Sequence, residues 1–201
     1  MGAPHGCPRQ SAVREIILPK ELSDYSNQFL PKVKPKDFTH QALAGLLKIY
    51  AKFLFGLDGI WYRRVRERIA DEVLACDVQV WLDFVKFEVA TIKRQMKIRG
   101  NDITALMKVL QLTPWFQLTE SNIAIESNSR ATLTVAYCAT LDALENKSDS
   151  PEYETCTVVC RNIRKSVAYS LNPDIKVECL KSPPRKNKDD ICCQWEFSLK
   201  E

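Results

Sequence analysis

The stretch "SNIAIESNSRATLTVAYCATL", residues 121–141, alternates apolar and polar side chains on both sides of Asn128 and Ser129. Period-two alternation broken by a polar pair predicts a β-hairpin, because successive side chains in a strand point to opposite faces. This hairpin divides the chain into two kinds of sequence. Upstream the apolar residues recur at helical spacing, and downstream one helical stripe is followed by two more strand-like runs.

Upstream, "HQALAGLLKIYAKFLFGL" (40–57) places Leu43, Leu46, Leu47, Tyr50 and Leu54 on a helix that Thr39 is suited to cap. Asp58 and Gly59 read as a turn. "IWYRRVRERIADEVLA" (60–75) then repeats Trp61, Val65, Ile69 and Val73 as the stripe of a second helix. "DVQVWLDFVKFEVATIKRQMKI" (77–98) is the longest helix, with Gly100 as its expected cap. Its stripe of Trp81, Phe84, Val85, Ile92 and Met96 is continued by Glu88. A carboxylate there either escapes to an edge or is held for a purpose, since burying it unpaired costs several kcal/mol. A short helix runs from Asp102 to about Leu112 and stops at Pro114.

Downstream, "ETCTVVCRNIRKSVAYSL" (154–171) carries a stripe of Val159, Ile163, Val167 and Leu171. "IKVECL" (175–180) and "DICCQWEFSL" (190–199) read as strands joined by an exposed loop, "KSPPRKNKDD". The expected fold is α+β: an N-terminal helical layer packed on an antiparallel sheet of two hairpin-like strand pairs separated by a helix. Residues 1–37, rich in proline, read as a flexible or draped arm, and 38–199 as a single domain.

Lys and Arg total 29 against 25 Asp and Glu, a net charge of +4. That balance points to neither nucleic acid nor membrane as a partner. Arg63, Arg64, Arg66 and Arg68 have Glu67, Asp71 and Glu72 as helical neighbours, which suits a solvated, salt-bridged face. The first residues lack the apolar run of a signal peptide, and no segment has the length of a spanning helix. A cytoplasmic location is expected, where eight cysteines serve as thiols or metal ligands rather than disulfides.

Strand alternation sorts these thiols. Cys193 shares the apolar face of Ile191, Trp195 and Phe197, whereas Cys192 goes with Gln194 and Glu196. Cys179 shares the face of Ile175 and Val177, Cys156 and Cys160 are spaced i, i+4, and Cys138 ends a strand. Three or four of them converging would suit zinc. Free cysteine is equally at home as a small buried apolar residue, so both readings stand. The only histidines, His5 and His40, lie outside the sheet and argue against a Cys–His nucleophile.

"FGLDGIWY" (55–62), "KFEVATIKR" (86–94), "LTPW" (112–115) and "VECLKSPPRKNKDDICCQWEF" (177–197) occur in one order over roughly residues 40–199. Together they resemble an uncharacterised bacterial and archaeal family. That family is related to the 2-amino-thiazoline-4-carboxylate hydrolase-like proteins and, more distantly, to the 4-vinyl reductase domain, an α+β small-molecule-binding module. The resemblance implies a zinc site built from Cys156, Cys179, Cys193 and Cys138, with Glu178 or Cys160 as an alternative ligand. It departs from the 4-vinyl reductase pattern in lacking the glycines of the central helix and in its longer final loop. It also sets Asp58, Trp61, Glu88 and Trp115 on motif positions. Glu88 and Asp58 are then candidate acid/base groups, and Trp61, Trp81 and Trp115 candidate pocket walls, although ordinary core packing is the readier account of any one tryptophan.

Two functions follow. One is a cytosolic domain that binds a small, partly apolar molecule, with thiols and zinc bracing the sheet. The other is a hydrolase of a small cyclic C–N substrate, with zinc-bound water as nucleophile and Glu88 or Asp58 as base. The expected partners are a small-molecule ligand or substrate and, as an option, a second copy in a homodimer. An interaction surface at Arg185, Lys186 and Lys188 is offset at once by Asp189 and Asp190.

Overall fold

A computed structural model describes residues 21–26, 29, 33–147 and 153–199. It divides into two units, residues 1–46 and 47–201, with the division inside the first long helix. In the first unit, Leu22 pairs with Phe38 as an isolated parallel bridge, its N–H donating to the Asp37 carbonyl at 2.8 Å. Tyr25 packs edge-on against Phe38 at 6.2 Å. Thr39 accepts the Ala42 N–H at 3.2 Å, the cap its sequence position predicts. Of the arm expected over 1–37, residues 1–20, 27–28 and 30–32 fall outside the described residues.

Helix α1 spans His40–Arg66 without a break, so Asp58 and Gly59 form no turn. Glycine in a helix interior costs only about 1 kcal/mol, which neighbouring helix formers offset. The helix expected over 60–75 is also displaced. The chain reverses through residues 67–72, and α2 runs from Val73 to Gln95. Residue propensity alone favours helix through that stretch. The reversal brings Phe55 of α1 to stack on Trp81 of α2, ring centres 5.5 Å apart, and tertiary packing decides the boundary. Lys97, at φ 53°, turns the chain after α2, and Gly100, at φ 85°, turns it again. Asp102 then caps α3 (Ile103–Gln111), its carboxylate accepting the Ala105 N–H at 2.7 Å.

The hairpin forms as β1 (Thr119–Ser127) and β2 (Arg130–Cys138). Helix α4 (Ala139–Lys147) follows, pinned by fully buried Leu141. A wide π-turn at Thr155–Val159 leads into α5 (Cys160–Leu171), then β3 (Ile175–Lys181) and β4 (Cys193–Leu199). The sheet is antiparallel in the order β1-β2-β4-β3, confirming the α+β class.

The register explains the core. Ala131, Leu133 and Val135 stand opposite Phe197, Trp195 and Cys193, and all but Cys193 are inaccessible to solvent or nearly so. Helices α3 and α5 contact this sheet, and α2 packs on α5. The alternate residues form the polar outer face, where Arg130 pairs with both Glu126 and Glu196. No helix among the described residues is long and apolar enough to cross a membrane.

Two expectations about the last loop change. Cys192 does not face solvent: it is 2% exposed, its N–H bonds the Val135 carbonyl at 2.8 Å and its thiol the Ala136 carbonyl. It precedes β4, so strand alternation does not govern it. The basic loop is likewise not simply solvated. Arg185 is buried against α4, gripping Glu145 through Nε and Nη2, while Lys181 pairs with Asp190.

A candidate ligand cleft between α1, α2, α3 and α5

The helix order leaves a narrow cleft of about 700 Å³ empty volume, counted to its open mouth. Helix α1 contributes Phe55 and Asp58, α2 contributes Trp81 and Glu88, and the segment after α3 contributes Thr113 and Trp115. The opposite wall is the π-turn and α5, through Thr155, Val159, Cys160 and Arg164. A π-turn adds a residue to one helical turn, and such widenings are frequent at functional sites. Trp61 lies outside this cleft and lines a shallower neighbour with Trp81 and Phe84. Thus Glu88, Asp58, Trp81 and Trp115 share one space and Trp61 borders the next.

Burial pushes the Glu88 carboxyl up to about 7, so its place on the apolar stripe is not an escape to an edge. Asp58 is raised for the same reason, less its hydrogen bond with Trp81. Behind it sits Asp77, 1% exposed, raised to about 7 by burial and then by the Asp58 charge, and also bonded by Trp81. One indole thus bridges two carboxyls, and the Asp58 charge disfavours the ionisation of Asp77.

Arg164 is the most unusual group in the wall. It is 4% exposed, and its guanidinium lies over the Trp115 ring at 4.2 Å and the Trp195 ring at 4.5 Å. Nη1 donates to the Cys160 carbonyl at 3.2 Å. Among the described residues, Nε and Nη2 have no hydrogen-bond partner, and neither has the buried Nε1 of Trp115.

Beside Arg164 are the thiols. Cys156, Cys160, Cys138 and Cys193 stand close enough for their charges to act on one another. Burial raises the Cys156 and Cys138 thiols, and pushes Cys193 up to about 11, with the Arg164 charge partly offsetting the rise at Cys156 and Cys193. Cys179 faces inward opposite Trp195, but its thiol donates to the Lys181 carbonyl at 3.3 Å. Glu178 points to the outer face, exposed opposite Glu196, and so leaves the ligand set. Among the described residues, no three or more His, Cys, Asp or Glu side chains are arranged to hold a metal ion.

Arg164 and Asp77 escape the sequence reading. The signal for Arg164 is its place four residues beyond Cys160 and eight beyond Cys156, on the row that faces the sheet. Asp77 opens the second α2 turn and carries no such mark.

The chain belongs to a family of unknown function, DUF6125, which it matches over residues 36–199. No curated protein and no solved structure matches it. The likeness to the hydrolase-like proteins and the 4-vinyl reductase domain therefore rests on the sequence motifs alone.

Proposed function

We propose that residues 47–199 form a small-molecule-binding domain that encloses a partly apolar molecule in the cleft of Glu88, Trp81 and Trp115. The observation that carries this reading is the meeting, on an otherwise apolar wall, of a raised carboxyl and N–H donors without partners. Ligand sites combine apolar walls with a few converging polar groups in just this way. The domain is taken to act in the cytoplasm on a freely diffusing molecule, and zinc enters no part of the reading.

The test is native mass spectrometry of the purified protein, together with Glu88→Gln. The wild type should carry a co-purified small molecule, and the variant should fold with the same Tm at pH 6 or a higher one while retaining at least tenfold less of it. Equal occupancy in both proteins would remove Glu88 from the site. One observation favours the hydrolase as a second reading: a carboxyl near 7 is suited to proton transfer at neutral pH. On that reading Glu88→Gln would abolish turnover of a thiazoline carboxylate and leave its binding in place.

A further inference from the structure

We infer that Arg164 is the receptor for the carboxylate of a small organic monoacid, held through its Nε and Nη2 edge. This inference rests on the cleft being a binding site and names the chemical class of its occupant. A guanidinium removed from water is costly unless paired. Arg164 forms no salt bridge among the described residues, and its one hydrogen bond there is to the Cys160 carbonyl. The Trp115 and Trp195 rings supply cation–π contact to its carbon centre, which stabilises the charge without using the remaining N–H groups. That unpaired edge, closed to solvent in the ligand-free protein, has two donors in the fork geometry that matches the two oxygens of a carboxylate, and a ligand reaches it by displacing the side chains that cover it.

The surroundings narrow the class. Arg164 and the partnerless Trp115 Nε1 line the same cleft, so the donors gather there while the neighbouring wall is apolar. Arg164 shares the lining with the Glu88 and Asp58 carboxyls, which burial shifts toward their neutral forms, so the one guanidinium suits a singly charged anion. The apolar walls at Leu110, Val159 and Ile163 suit a hydrocarbon or aromatic body. Inorganic phosphate, more highly charged and without an apolar body, suits the lining less well.

Phenylacetate and hexanoate, each beside its neutral amide and beside inorganic phosphate, test this by calorimetry and by the Arg164 Nε–H resonance of the labelled wild-type protein. The acids should shift that resonance and bind at least tenfold more tightly than the amides. Arg164→Gln should cancel the preference while leaving amide binding within twofold. Acids and amides binding equally would overturn the Arg164 role and leave the cleft standing. Neither binding would overturn the cleft as well. Phosphate moving the resonance as far as the acids would replace the monoacid by a phosphate ligand and so overturn it too. The acid-to-amide comparison needs no variant, so it decides the matter even if Arg164→Gln fails to fold.

Discussion

Glu88 and Asp77 bind their protons more tightly in the folded protein than in the unfolded chain, where carboxyls titrate near 4. The stability they supply is complete below about 4 and is lost as pH rises through about 7. At 1.36 kcal/mol per pH unit, this loss is on the order of 3–4 kcal/mol for either group. Asp77→Asn keeps an acceptor for the Trp81 indole and removes the titration. Its thermal stability should therefore vary about half as much as the wild type's between pH 4.5 and 8, the Glu88 titration remaining, and exceed it at pH 8. A wild-type Tm that is level or rising across that range would show the two carboxyls ionising freely. The same residues mark what sequence can and cannot reveal. Glu88 is legible because its place on an apolar stripe is a local anomaly, whereas Asp77 is buried by the return of α2 against α1.

At the level of elements, α1 gives the sharpest check, because two descriptions of residues 56–59 differ in sign. Gly56 and Gly59 lie in a continuous helix, with no crowding atom near the first and the end of the Arg63 side chain near the second. Alanine at either position should raise stability by about 0.5–1 kcal/mol, read from urea unfolding. A turn at Gly59 with positive φ would make Gly59→Ala destabilising instead. The asparagine–serine hairpin and the Asp102 cap form as their local chemistry predicts, since nearest neighbours fix both. The boundary between α1 and α2 does not, because helix formers fill residues 66–72 and the reversal goes with the tertiary contacts of Trp81 to Phe55 and Asp58. Helix α4 escapes notice for a related reason. It is short, and its hold on the core depends chiefly on Leu141.

For the molecule as a whole, the α+β class follows from the change of period at residue 121, and the inward turn of Cys179 and Cys193 follows from strand alternation. The wider gathering of thiols divides on tertiary detail. Cys156 and Cys160 reach Cys138 and Cys193 because the π-turn and α5 lie over the sheet, whereas Cys179 is engaged by a carbonyl of its own strand. Of the cleft, the motif residues Asp58, Glu88 and Trp115 are visible in the sequence, and the arginine that sits over Trp115 is not. The chain has four tryptophans: Trp61, Trp81 and Trp115 border the two clefts, and Trp195 lies beneath Arg164. Intrinsic fluorescence is thereby tied to occupancy. Any guest that expels water from the indoles or draws the guanidinium away should change emission wavelength or yield, making the unlabelled protein its own optical reporter.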